Sequence, residues 1–183
     1  MAKRITLPRD AHIETDRLLL RPPEETDLDS IVAEINDFAV VRMLAQVPFP
    51  YGRTNAERFL AWSRRSRDDL NLVVSRDGEA VGCMALIDVN GLCEFGYWLG
   101  RAHWRQGLAS EAGRAFLAFC FATTGIDTIH AGAYVDNPAS LHVQEKLGFR
   151  RTGRSRRQSL ARGHLVEHID TALSRAGFAE AIQ

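Results

Sequence analysis

No apolar run in this 183-residue chain reaches the ~20 residues needed to span a bilayer. The opening Met1-Ala2-Lys3-Arg4 lacks the apolar stretch of a secretory signal. Only three cysteines are present, Cys83, Cys93 and Cys120, all within apolar segments. An odd, small number excludes a disulfide scaffold and suits a reduced, cytoplasmic protein. Three signatures are also missing. There is no G-x-x-x-x-G-K-[ST] of a nucleoside-triphosphate loop, no G-x-G-x-x-G dinucleotide fingerprint and no G-x-S-x-G nucleophile elbow. Formal net charge is zero, which argues against a nucleic-acid-coating protein. His164 and His168 stand four apart, but a strand is expected there and no third ligand accompanies them, so no metal site is expected.

What is present reads as one domain covering residues 1–183, long enough for one sizeable core. No repeat or low-complexity linker divides it. Strands are expected at 13–21, 70–75, 80–89, 92–99, 129–135, 149–154 and 164–173. Arg76-Asp77-Gly78-Glu79 and Asn90-Gly91 form the turns within the middle group. Helices are expected at 27–35, 38–44, 55–67, 108–124 and 137–147. The clearest is 108–124, where Leu108, Ala112, Ala115, Phe116 and Phe119 share one face. Antiparallel strands followed by β-α-β make a mixed, mostly antiparallel central sheet flanked by helices, an α/β (α+β) class.

The most informative stretch is Glu94 to Ser110, EFGYWLGRAHWRQGLAS. A strand runs into a turn, and the turn opens directly into a helix at Gly107. The free N–H groups of a first helical turn, together with the helix dipole, favour an anion there. Gly107 clears the space a phosphate needs for close approach. A second segment, Tyr134 to Phe149, has Asn137 as N-cap, Pro138 at the first helical position and Gly148 just past the end. Taken alone, Asn137 reads either as a cap or as a ligand contact, and Ser140 either as a first-turn polar residue or as a reactive hydroxyl. Both segments lie in the basic half of the chain. Residues 91–183 carry 11 Lys/Arg against 8 Asp/Glu, whereas residues 1–90 carry 12 against 15.

Trp104-Arg105-Gln106-Gly107-Leu108-Ala109 resembles the pyrophosphate loop of the GNAT N-acetyltransferases. Asn137-x-x-Ser140 with Lys146-Leu147-Gly148-Phe149 resembles their second signature. Thr15-Asp16-Arg17-Leu18-Leu19-Leu20-Arg21 resembles the opening strand of the RimJ/RimL-like branch, which the Pro48–Tyr51 loop also fits. The resemblance covers about residues 13–173 and implies a GNAT fold. It implies that backbone amides of Arg105, Gln106, Gly107, Leu108, Ala109 and Ser110 hold the pyrophosphate of acetyl-coenzyme A, with Asn137 on the pantetheine arm. Two departures stand out: Trp104 replaces the usual Arg or Gln, and Arg105 occupies a position where glycine is frequent.

Acetyl transfer to an amine needs a proton acceptor, an oxyanion donor and a proton for the leaving thiolate. Glu94, at the start of the strand feeding the loop, is the candidate base, against a reading as a solvated strand-end carboxylate. Ser140 is the candidate acid. Glu167, His168 and Asp170 are further groups on a strand that often lines the acceptor cleft in this family. Tyr51, Trp62, Tyr97, Trp98 and Trp104 either wall the acceptor site or belong to the core. The arginines at 150, 151, 154, 156, 157 and 162 read as a solvated sheet edge. The resemblance implies an acetyl-coenzyme-A-dependent N-acetyltransferase, without metal, acting on a primary amine. That amine is a peptide N-terminus or a small molecule such as a polyamine, amino acid or aminoglycoside. The chain is expected to be a monomer or homodimer binding neither nucleic acid nor membrane. The alternative outside catalysis is a degenerate acyl-coenzyme-A sensor.

Overall fold

The computed structural model describes residues 10–66, 68–89 and 91–182. Met1–Arg4, Arg67 at the expected end of a helix, and Asn90 of the Asn90-Gly91 turn lie outside them. Eight strands are present among the described residues: β1 (Ile13–Glu14), β2 (Leu19–Arg21), β3 (Leu70–Arg76), β4 (Glu79–Val89), β5 (Leu92–Leu99), β6 (Thr128–Tyr134), β7 (Arg150–Ser159) and β8 (His164–Ser174). The helices are α1 (Leu28–Ile35), α2 (Phe38–Val41), α3 (Arg53–Arg65), α4 (Leu108–Thr123), α5 (Pro138–Lys146) and α6 (Arg175–Ala181). The strands form one sheet in the order β1-β2-β3-β4-β5-β6-β8-β7. All neighbours pair antiparallel except β5 and β6. This is the mixed, helix-flanked sheet expected from the sequence.

Local chemistry sets the elements. Asp77 and Gly78 both take positive φ, 52° and 88°, which is the backbone a two-residue hairpin turn between β3 and β4 requires. Asn137 caps α5 by accepting from the Ser140 N–H at 3.2 Å, and Pro138 takes the first helical position. The apolar face of α4 buries Leu108, Ala112, Phe116, Leu117 and Cys120 against Phe95, Ile129, Leu147 and Phe149. Phe116 and Leu117 are fully buried, each contributing about 1.5–3 kcal/mol by area. On the other side of the sheet, α1, α2 and α3 pack Leu28, Ile31, Ile35, Val41, Ala56 and Leu60 against Val73, Ala80 and Trp98. The sheet is thus covered on both faces.

Four elements differ clearly from expectation, the first being α2, which stops at Val41 instead of Leu44. Residues 13–21 form not one strand but β1 and β2 folded back on each other. Thr15 donates its N–H to the Leu18 carbonyl at 2.9 Å, and its hydroxyl accepts from the Leu18 N–H at 3.0 Å. A threonine that satisfies the backbone locally in this way competes with continued extension. β7 runs on to Ser159 instead of stopping near Arg154, because β8 partners it from Ala172 back to His164. Helix α6 was not expected; its only local signal is Ser174, whose hydroxyl caps it by accepting from the Gly177 N–H at 3.0 Å.

The feature that places the site is a break in the sheet. Among the described residues, β5 and β6 pair at one register position only, Glu94↔His130. From Phe95 onward β5 keeps β4 as its neighbour, while β6 keeps β8. The two strands therefore diverge and leave an open seam between the halves of the sheet.

Candidate active site

The seam is a cavity of about 600 Å³, lined by β5 from Glu94 to Leu99, by β6 from Gly132 to Tyr134, and by the starts of α4 and α5. That volume lies within the roughly 300–1,000 Å³ of small-molecule clefts. Because β5 bonds to β4 along one edge, the backbone groups on its other edge face the cavity.

At one mouth stands the loop before α4. Gly107 is the N-cap with φ +79°, and Arg105 also takes a positive φ of 60°. A left-handed backbone explains why glycine is favoured at both positions, and Arg105 pays roughly 1–2 kcal/mol for it. Ser110 and Glu111 both donate to the Gly107 carbonyl at 3.1 Å. The Leu108 and Ala109 N–H groups precede these bonds and are available to an anion. Arg105, Gly107, Leu108, Ala109 and Ser110 line the cavity, as does Asn137; Gln106 does not. Gln106 instead braces the loop: its amide donates to Ala102 O at 2.8 Å, and it accepts from Arg76 at 2.9 Å.

The brace is completed by a residue not singled out for the site from the sequence. Arg17, in the β1–β2 turn, donates to the Gln106 carbonyl at 3.0 Å and to Glu111 at 2.7 Å. Thr15 donates to the same Glu111 carboxylate at 2.6 Å. Burial pushes the Glu111 carboxyl up, but the bonds from Thr15 and Arg17 outweigh it and hold it below the usual carboxylate range. Glu111 lies in the first turn of α4. Its negative charge would repel a phosphate there if Arg17 did not offset it.

In the middle of the cavity, Tyr97 donates to Ser140 Oγ at 3.1 Å, and the Gln144 amide donates to the same oxygen at 3.3 Å. Gln144 is held by Gly132 O at 3.0 Å and by the Thr171 hydroxyl at 2.7 Å, which fixes its amide orientation. Both acceptor positions of Ser140 Oγ are occupied, so its own proton is free to point into the cavity. Burial pushes the Tyr97 phenol up to about 12, so it stays a donor at neutral pH.

At the other end lies a charged cluster. Both oxygens of Glu94 accept from Arg157 Nη1, at 2.8 and 2.9 Å. Arg157 Nη2 is 3.6 Å from Asp170. Asp170 accepts from the Ser155 hydroxyl at 3.0 Å and lies 2.9 Å from His168 Nδ1. Burial, ahead of the neighbouring charges, pulls the His168 imidazole below its ordinary 6.5. Arg157 was grouped with a solvated edge. Strand alternation instead turns it inward while Arg154 and Arg156 stay exposed. Arg162 is likewise turned in: it holds both oxygens of Asp136 at 2.9 and 3.0 Å and donates to Arg42 O at 2.6 Å.

The aromatic candidates divide. Tyr97, Trp98 and Trp104 line the cavity. Tyr51 is buried in the core beneath α1–α3, and Trp62 lies on the surface against Phe59. The cleft is bordered by Met43, Leu44 and Ala45, not by Pro48–Tyr51, because Tyr51 is drawn inward and its N–H is held by Asn36 at 2.8 Å. No cluster of metal-binding side chains occurs among the described residues. No helix of the described residues is long and apolar enough to cross a membrane.

Comparison with known proteins agrees with this geometry. The acetyltransferase (GNAT) domain family matches residues 17–150. The chain is similar to the uncharacterized N-acetyltransferase p20 of Bacillus licheniformis, 29% identical over 160 residues, covering 84% of this chain and 90% of that protein. Among solved structures it is similar to Mycobacterium smegmatis RimJ in complex with CoA-disulfide (TM-score 0.77, 22% identity, 91% and 88% of the chains covered). It is also similar to Vibrio cholerae spermidine N-acetyltransferase in complex with CoA and spermine (TM-score 0.78, 20% identity, 90% and 99% covered). A split sheet opening onto an anion-suited helix start, together with a family match over most of the chain, makes this protein a member of the GNAT acetyltransferases and an acyltransferase enzyme.

Proposed function

We propose that the chain moves an acetyl group from acetyl-coenzyme A to a primary amine, as a RimJ/RimL-like enzyme. The observation that carries this reading is the Ser140 hydroxyl, filled on its acceptor side by Tyr97 and Gln144, facing a cavity that ends at the α4 N-terminus. The backbone from Arg105 to Ala109 suits the pyrophosphate, and Arg17 offsets the Glu111 charge at that mouth. Asn137 and the unpaired edge of β5 suit the amide-bearing pantetheine arm. That places the thioester beside Ser140, which donates its proton to the leaving thiolate while Tyr97 restores it. Glu94 sits in the same cavity with its charge shared by Arg157. It draws the acceptor ammonium to the reacting carbon and orients it.

For the acceptor, a peptide α-amine fits the chemistry, since its pKa of about 7.7–8.0 leaves a usable neutral fraction at pH 7. A small amine is the second reading. It is favoured by the segment Met43–Ala45, which borders the cavity and is tied to the β7–β8 turn by Leu160 N–H to Ala45 O at 3.0 Å. Such a wall leaves less room for a chain to exit. The test combines two measurements. Acetyl-coenzyme A should raise the melting temperature by mass action. Release of free thiol should then be screened with short peptides, spermidine, free amino acids and aminoglycosides. Binding without thiol release from any amine would make the chain a sensor. Turnover of small amines alone would replace the peptide reading.

A further inference from the structure

We propose that the proton of the acceptor amine is taken by His168 Nε2, with Asp170 as the residue that fixes the imidazole tautomer. The inference rests on the acetyl-transfer reading above and assigns the base within it. Asp170 is held by the Ser155 hydroxyl at 3.0 Å and faces the Arg157 guanidinium at 3.6 Å. A carboxylate oxygen that takes a hydrogen from a hydroxyl and faces a guanidinium is an acceptor toward the imidazole as well. The 2.9 Å contact from His168 Nδ1 therefore carries the hydrogen on Nδ1. The lone pair is left on Nε2, which has no protein partner among the described residues. His168 lines the same cavity as Ser140.

The position of the ring is built in. Gly132 lies across from Asp170 in the β6–β8 register, and a Cβ there would collide with the His168 ring and come within 2.9 Å of Nε2. The Gly132 carbonyl is held at 3.0 Å by the same Gln144 amide group that reaches Ser140. His168 and Ser140 are thus fixed to one another through a single side chain. Tyr134 packs edge-on against the ring with centroids 5.8 Å apart. The charged groups facing His168 are Asp170 on its own strand, Arg157 on β7 and Glu94 on β5. Glu94 already gives both oxygens to Arg157. His103 and His142 also line the cavity, but His168 is the histidine that stands with Glu94 and Arg157.

Burial keeps the imidazole neutral at pH 7, so the base form is present without prior deprotonation. The transfer balances as follows. The amine nitrogen attacks the thioester carbon, a C–N bond forms and the C–S bond breaks. As nitrogen loses its basicity, one of its protons passes to His168 Nε2 and on to solvent. The sulfur takes its proton from Ser140, Tyr97 refills Ser140 and solvent returns that proton to Tyr97, so of the two protons the ammonium loses one is released on balance.

The test uses the full chain with the amine acceptor identified by the thiol-release screen. His168→Gln should lower kcat by ~10²–10⁴-fold. It should leave the acetyl-coenzyme A thermal shift unchanged and abolish the acid limb of the pH–rate profile, which in wild type should lie below pH 6.5. Asp170→Asn should free the tautomer and lower kcat without removing the ring. Glu94→Gln should act mainly on the KM for the amine and retain the acid limb. Two-bond ¹⁵N–¹H correlation spectra of the wild-type protein should show His168 with hydrogen on Nδ1. Turnover of His168→Gln equal to wild type at pH 6–8, or an Nε2–H tautomer, overturns the assignment while acetyl transfer stands. Loss of folding in His168→Gln leaves the decision to Asp170→Asn and the tautomer spectrum. Absence of turnover in wild type with every amine of the screen removes the acetyl-transfer reading itself, and the assignment of His168 with it.

Discussion

At the α4 mouth of the cleft, the groups offered to a ligand are main-chain N–H groups from one short segment, Arg105 to Ala109. At the far end they are side chains on three different strands: Glu94 on β5, Arg157 on β7 and His168 on β8. The first end can be written into a hexapeptide, because backbone donors need only the right φ and a helix start. The second needs the β7–β8 and β6–β8 registers to be right before any two members meet. A one-residue slip would point Arg157 and His168 out of the cleft. One end depends on backbone conformation and is tolerant of side-chain identity, and the other depends on side-chain identity and on strand register together.

That contrast can be broken most severely at Gly107. Gly107→Pro forces φ near −65° where the fold requires +79°. It should abolish the rise in melting temperature given by acetyl-coenzyme A, measured by differential scanning fluorimetry; a rise equal to wild type would reject the loop as the pyrophosphate site. Next in size, Ser140→Ala removes the proton donor and should reduce kcat by ~10²-fold with little change in coenzyme affinity. A steady-state assay in which KM for acetyl-coenzyme A moves instead of kcat would give Ser140 a binding role.

Arg17→Ala asks whether the backbone end is truly indifferent to side chains. It leaves Glu111 unneutralised beside the loop and should weaken acetyl-coenzyme A by ~10-fold, in line with loss of one charged hydrogen bond. Isothermal titration at low and high salt checks it, because the loss should shrink as salt screens Glu111. Asn137→Ala is smaller still. It removes the α5 cap and should cost ~1 kcal/mol in urea unfolding, alongside a modest loss of coenzyme affinity.

The smallest effect is the pH dependence of stability. His168 is held below its unfolded value of 6.5 by burial. Its folded pKa is lower than its unfolded one, so its contribution is present above about pH 6.5 and is lost as pH falls. The decline in Tm from pH 7.5 to 5.5 should therefore be shallower in His168→Gln than in wild type. Parallel declines would place the acid sensitivity elsewhere.

Much of the molecule was readable because its signals are local. The Asp77-Gly78 turn, the Asn137-Pro138 helix start, the apolar face of α4 and the Gly107 loop each lie within a few residues. Glu94 was readable as a candidate base at a strand start, but the Arg157 nitrogen that takes both its oxygens was not. Arg157 stood in a run of arginines that, taken alone, resembles a solvated edge. Alternation along β7 sorts that run, sending Arg157 inward and leaving Arg154 and Arg156 outside, and only the pairing with β8 makes the sorting visible. Arg17 was legible as part of a motif; its reach to Gln106 and Glu111 depends on the β1–β2 fold-back, which a nine-residue strand would have prevented.

The lone Glu94↔His130 pairing has a mechanical side. Across that seam the sheet has almost no hydrogen-bond ladder to resist separation. The halves β1–β5 and β6–β8 are joined by a core shared through α4, which takes in Phe95 from one half and Ile129 from the other, and by the Arg157–Glu94 ion pair. Strain applied along the sheet would concentrate at this joint while both halves kept their own ladders. The molecule thus resembles two plates fastened at a few points along one joint. A long coenzyme arm could enter between the plates by a small rotation, and neither plate would need to unfold to receive it.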